Sequence, residues 1–113
     1  MNPSRTYARR VLSVVGAARG KPTELASAVS RDGNGVAKRV IVRNLGGPGE
    51  SIFISEEIAD LTPTISSEVF ELPGGESDVF ILAPGQFLFG RMETVEGRAS
   101  IALSDAFPVV VPR

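Results

Sequence analysis

From residue 38 onward, larger apolar side chains recur at every second position. Residues 38–44 set Val40 and Val42 on one face and Arg39, Ile41 and Arg43 on the other, the alternation of a half-buried strand. Gly46-Gly47-Pro48-Gly49 supplies a turn, and residues 51–55 form the next strand, in which Phe53 alternates with Ile52 and Ile54 and leaves the inward face open. Residues 56–61 read as an acidic connector or one helical turn, followed by Thr62-Pro63-Thr64. A strand over 67–72 places Phe70 and Leu72 inward and Glu71 outward. Residues 77–82 are apolar on both faces through Val79, Phe80, Ile81 and Leu82, which predicts a central strand or one beneath a partner surface. Residues 86–92 alternate with Phe87 and Phe89 inward, and 98–104 with Ile101 and Leu103 inward. Pro73-Gly74-Gly75 and Ala83-Pro84-Gly85 punctuate these strands, and residues 108–112 form an apolar tail bounded by prolines. Phe53, Phe70, Phe80, Phe87 and Phe89 are expected to supply much of the core, each contributing about 1.5–3 kcal/mol when fully buried.

Residues 1–37 differ in kind, being rich in Arg, Ala, Ser and Gly. Ser4 is placed to cap a helix in which Tyr7, Val11 and Val15 recur at four-residue spacing, with Gly16 and Gly20 fraying its end. Lys21-Pro22-Thr23-Glu24 offers a second helix start, with Thr23 as N-cap and residues 25–29 as one or two turns, before Arg31-Asp32-Gly33-Asn34-Gly35 forces a turn. The chain thus reads as a basic N-terminal arm, 1–37, and a β-sandwich domain, 38–113. No stretch after residue 38 is long enough for a crossover helix. The expected fold is all-β: a small antiparallel β-sandwich or jelly-roll-like barrel with an extended, partly helical N-terminal arm.

Composition narrows the function. At 113 residues and 42% hydrophobic content the chain supports one small domain with a modest core. It contains no His, Cys or Trp. Imidazole acid–base chemistry, thiol nucleophiles, disulfides and structural zinc are therefore unavailable from its own residues. The net charge of −1 hides an asymmetry: residues 1–43 carry nine Lys or Arg against two acids, and residues 44–113 carry three against eleven. A basic segment of this kind is suited to an acidic neighbour, whether another protein, a second copy or a nucleic acid. The apolar run 11–18 is broken by Ser13 and Gly16 and closed by Arg19, unlike a signal peptide, and no stretch approaches the roughly 18 apolar residues of a membrane span.

The acids Glu56, Glu57, Asp60, Glu68, Glu71, Glu76 and Asp78 formally allow a paired-carboxylate hydrolase, but they alternate with apolar residues or flank turns, as a solvated strand face requires. Glu56, Glu57 and Asp60 lack the spacing of a calcium loop, and Gly46-Gly47-Pro48-Gly49 lacks the Lys-Ser/Thr continuation of a phosphate cradle. No metal, cofactor or catalytic residue is expected. Aromatic interleaving of the basic segment is confined to Tyr7, which sets nucleic acid behind an acidic protein surface as its partner. The candidate assembly contacts are Arg5, Tyr7, Arg9, Arg10, Arg19, Lys21, Arg39, Ile41, Arg43 and Leu88, together with the two-faced strand from Val79 to Leu82. The alternative is a carbohydrate- or ligand-binding sandwich module, for which the absence of Trp and the single Tyr leave few stacking rings.

The stretch Lys38-Arg39-Val40-Ile41-Val42-Arg43-Asn44, the following Gly46-Gly47, the run Ser67 to Gln86 with its two Pro-Gly turns around Val79-Phe80-Ile81-Leu82, and Arg98 to Leu103 resemble small minor structural proteins of tailed-phage virions, over residues 38–107. The resemblance implies a noncatalytic capsid-decorating or fibre-associated β-sandwich, localised to the virion after synthesis in the host cytoplasm. It further implies a major capsid or other virion protein as partner and a homo-oligomeric state, a trimer if the chain decorates a capsid. A compact acidic domain with a basic arm is physically compatible with that role.

Overall fold

The computed structural model describes residues 8–16, 21–29 and 36–106. Eight strands run in chain order: β1 Ala8–Val14, β2 Thr23–Ser27, β3 Lys38–Asn44, β4 Ile52–Ser55, β5 Phe70–Leu72, β6 Ser77–Leu82, β7 Phe87–Met92 and β8 Gly97–Asp105, with a 3-10 turn at Ile58–Asp60 between β4 and β5. They form two four-stranded sheets, sheet A in the order β1-β8-β3-β6 and sheet B in the order β2-β7-β4-β5, with every pairing antiparallel. Successive strands alternate between the sheets at both ends of the chain, which is the two-sheet winding of a jelly roll.

The N-terminal segments depart from expectation. Residues 8–14 are a strand paired over its length with β8, and residues 23–27 are a strand paired with β7. Both expected helices, the one reaching Val15 and the one over 25–29, are replaced by strands among the described residues. The reason lies in the spacing itself: four is a multiple of two as well as nearly one helical turn, so Val11 and Val15 share a face in either geometry. Partner strands with matching inward residues decide the case, and Gly16 and Gly20 disfavour the helix. The division at residue 37 therefore falls between β2 and β3 of one sandwich, with one earlier strand in each sheet. Residues 1–7, 17–20, 30–35 and 107–113, including Ser4, the Arg31–Gly35 turn and the 108–112 tail, lie outside the described residues.

The core is aliphatic. Val14, Leu25, Val40, Val42, Ile52, Ile54, Leu72, Leu82, Leu88, Met92 and Ile101 fill the space between the sheets, with Leu12, Phe80 and Leu103 packed against them. β3 and β8 follow the expected alternation, Val40 and Val42 inward from β3 and Ile101 and Leu103 inward from β8. β4 resolves in favour of Ile52 and Ile54 inward and Phe53 outward. β7 is reversed: Leu88 lies in the core, while Phe87 and Phe89 turn outward and stack on each other at 6.0 Å. With Phe87, Leu88 and Phe89 all apolar, the run carries no parity, and the register of Leu88 opposite Ala26 on β2 sets it. Gly90 faces inward, where a Cβ would crowd Leu25. No phenylalanine among the described residues is fully buried. Phe70 and Phe80 meet edge-to-face at 5.4 Å, one from each sheet. β6 is an edge strand of sheet A, not a central one.

Candidate protein-docking face

Register fixes which side chains share the outer face of sheet A, because neighbours across a ladder point the same way. One row reads Arg9, Ala102, Ile41, Val79; the next reads Val11, Ser100, Arg43, Ser77; the third places Ser104, Arg39 and Ile81 side by side, and Arg98 stands opposite Ser13. Ile41, Val79, Ile81 and Val11 keep 37%, 44%, 49% and 53% of their surface in solvent. Around them stand Arg9, Arg39, Arg43 and Arg98, and no carboxylate occupies an outward position of β1, β8, β3 or β6. Beyond Arg98 the inner strand β8 presents only small residues here, Ser100, Ala102 and Ser104, between the arginines and aliphatics of β1 and β3. Such a face offers apolar contact area interleaved with guanidinium donors, a composition suited to a protein interface.

Of the sequence candidates, Arg9, Arg39, Ile41 and Arg43 come together on this face. Arg10 does not: on edge strand β1 it points inward, and its Nη2 donates to the Leu25 carbonyl of β2 at 3.1 Å, joining the sheets. Leu88, 1% exposed, is a core residue and no surface contact. Lys21 is exposed just ahead of β2, in the other sheet, and Arg5, Tyr7 and Arg19 lie outside the described residues. Sequence reasoning misses Val11 and Arg98 as members of the face. Arg98 precedes the inward series Ala99, Ile101, Leu103, which signals its outward direction, but its place beside β1 and β3 comes from long-range pairing. At the rim, Lys38 Nζ and Asp105 Oδ1 form an ion pair at 2.9 Å.

Sheet B has the opposite character. Its outer face carries Glu24 opposite Phe89 and Glu71 opposite Phe53, and Ser51 Oγ donates to Glu71 Oε2 at 2.7 Å. The β4–β5 connection, residues 56–69, adds Glu56, Glu57, Asp60 and Glu68 and crosses this face at Leu61 and Pro63, whose carbonyls accept from the buried Arg91 Nη1. Arg91 is the sole Lys or Arg within those strands and that connection. At the end of the sandwich a cavity of about 340 Å³ is floored by Ile54, Phe80 and Leu88 and rimmed by Glu56, Glu57 and Asp60. Gln86 Nε2 donates to Glu56 Oε1 at 3.0 Å and Ser55 Oγ to Asp60 Oδ2 at 2.9 Å, so neutral donors hold two of these carboxylates. They do not assemble into a metal-holding group, and no such group occurs among the described residues.

No protein-family model matches the chain. Comparison with curated proteins gives no match either. Among solved structures, it is similar to a chain from the structure described as "Bacillus endospore appendages form a novel family of disulfide-linked pili", with a TM-score of 0.44 and 10% identity over 88% of this chain and 87% of that one. The character of the docking face rests on its own side chains.

Proposed function

We propose that the chain is a noncatalytic structural β-sandwich that takes its place in an oligomeric assembly by protein–protein contact through the outer face of sheet A. The observation that carries this reading is the presence on one sheet face of exposed Val11, Ile41, Val79 and Ile81 interleaved with Arg9, Arg39, Arg43 and Arg98. Single exposed aliphatics are ordinary on a protein surface, whereas Ile41, Val79 and Ile81, which adjoin across the β3–β6 ladder, gain free energy together when a partner covers them. No disulfide from this chain can join these contacts, since the sequence has no cysteine. The virion is the proposed setting, with a capsid or other virion protein as neighbour; the sequence resemblance supports it, and the jelly-roll winding is compatible, being shared by viral capsid, lectin and cupin domains.

A second reading, a ligand-binding sandwich, draws on the cavity above Ile54, Phe80 and Leu88. One experiment separates the two. Assemblies isolated from cells that make the protein should retain it on sedimentation, and the pair Ile41→Asp and Val79→Asp, both at exposed outward positions, should lower retention at least tenfold while the circular dichroism stays unchanged. Undiminished retention removes the docking face, and saturable binding of a sugar without any particle retention favours the cavity.

A further inference from the structure

The arginine face and the acidic side lie on opposite surfaces of one two-layer sandwich. The outer face of sheet A presents four arginines and no carboxylate, while the outer face of sheet B presents Glu24 and Glu71 and its crossing connection adds Glu68, with Glu56, Glu57 and Asp60 toward the end of the sandwich and the one arginine of these segments buried. Each surface also has apolar area of its own. On sheet A it is aliphatic, and on sheet B it is the stacked Phe87–Phe89 pair with Phe53 beside Glu71. Guanidinium groups match both parts of the second surface, since they pair with carboxylates and stack on aromatic faces. The complement to the arginine face is therefore carried by the chain itself.

We propose that the occupant of the arginine face is the sheet B side of a second copy of this chain, and that the contact repeats head to tail. This deepens the docking reading and rests on it. A contact between two different surfaces is heterologous, and surfaces facing away from each other across a flat sandwich leave each new copy with a free arginine face at one end and a free acidic side at the other. Growth then continues as an open row instead of closing as a two-fold dimer. The like-charged alternatives, arginine face on arginine face or acid on acid, are disfavoured by repulsion, which fixes the polarity of the row.

Sedimentation velocity on the full chain tests this. At low salt the weight-average mass should climb with concentration past two and three chains without a plateau. It should fall back toward the 11.9 kDa monomer near 0.5 M salt, where the screening length drops to a few ångströms. The variant Arg39→Ser with Arg43→Ser should be monomeric at low salt, as should Glu24→Ser with Glu71→Ser; all four positions are exposed, and circular dichroism reports that the fold is kept. Mixed together, the two variants should form pairs and stop there, because only one intact surface remains on each. A plateau at two or three chains, or a glutamate variant that associates like the parent chain, overturns the proposal. So does a monomer at every concentration, or one that uses the same arginines for an acidic peptide or oligonucleotide. In these last cases particle retention that still depends on Ile41 leaves the docking face standing, and its loss removes both.

Discussion

Asn44 and Leu72 meet across the two sheets: the Asn44 side-chain Nδ2, fully buried at the end of β3, donates to the Leu72 carbonyl of β5 at 2.9 Å. The same nitrogen donates to the Glu50 carbonyl at 2.7 Å, and Oδ1 accepts from the Gly46 amide at 2.8 Å. Two carbonyls on one side and an N–H on the other fix which end of the amide is which. The Asn44 backbone adds bonds to Glu76 and Gly75, so one residue ties together the 46–50 turn, the 73–76 turn and both sheets. Replacing it with Ala strands two carbonyls and one amide in or near the core. At roughly 1 kcal/mol per neutral bond plus the desolvation of groups left unpaired, Asn44→Ala should cost about 3 kcal/mol, read as a lower urea midpoint at constant slope. Asn44→Asp should be no better, since it keeps one acceptor, loses both donated bonds and buries a charge.

Arg91 is the buried cation of sheet B. Its Nη1 serves the carbonyls of Leu61 and Pro63, which fastens the β4–β5 connection over the sheet, while its Nε finds no partner among the described residues. Removing the head group frees those carbonyls and loosens the connection, so Arg91→Ala should cost about 2–4 kcal/mol and raise amide exchange in residues 58–66 ahead of the rest. Arg91→Met, which keeps the stem and relieves the burial of charge, should recover part of the stability but not the protection of the connection. Protection in both variants equal to that of the parent chain would show that the connection is held by Leu61 packing instead.

The strands with strict alternation are legible in the sequence alone. Val40 and Val42 against Arg39, Ile41 and Arg43 predict β3 with both faces correct, and Ile101 with Leu103 does the same for β8. Where alternation is missing, as in Phe87-Leu88-Phe89, parity is a property of the neighbouring strand, and the aromatic residues expected in the core turn outward. The inter-sheet space of so small a sandwich is filled by Leu, Ile and Val, leaving the phenylalanines to its ends and outer faces. The docking face is legible only in part for a related reason. Arg9 enters the row of Ile41, and Arg98 the same face farther along β8, through the pairings of β1 with β8 and of β8 with β3, and pairings across such sequence distance leave no local trace.

The two glycine-rich turns touch. Gly74 lies so close to the 46–47 turn that a Cβ there would collide with the Gly47 carbonyl, and the obstacle is backbone with no rotamer to yield. Gly47 itself has open space at its Cβ position. The pair gives a clean contrast between neighbours: Gly74→Ala should destabilise by about 2 kcal/mol or more, whereas Gly47→Ala should stay within about 1 kcal/mol. Comparable melting temperatures for the two variants would mean that the turns separate at little cost.

Edge strand β6 carries a self-made block. Asp78 Oδ1 accepts from the backbone N–H of the next residue, Val79, at 2.7 Å. In an antiparallel pair alternate residues direct their amides away from the partner strand, so this N–H belongs to the free edge, where an incoming strand would bind it. The strand needs such a block, since Val79 and Ile81 are exposed and β6 contains neither Pro nor Lys. Asp78→Ala should therefore promote edge-to-edge pairing, seen as growth in light scattering and an intermolecular β-sheet infrared band at about 0.5 M salt, where contacts between charged faces are screened. Asp78→Asn, which retains an acceptor at the same position, should behave like the parent chain. If Ala and Asn variants aggregate alike, the carboxylate charge protects the edge, and if neither does, the twist of the strand is protection enough.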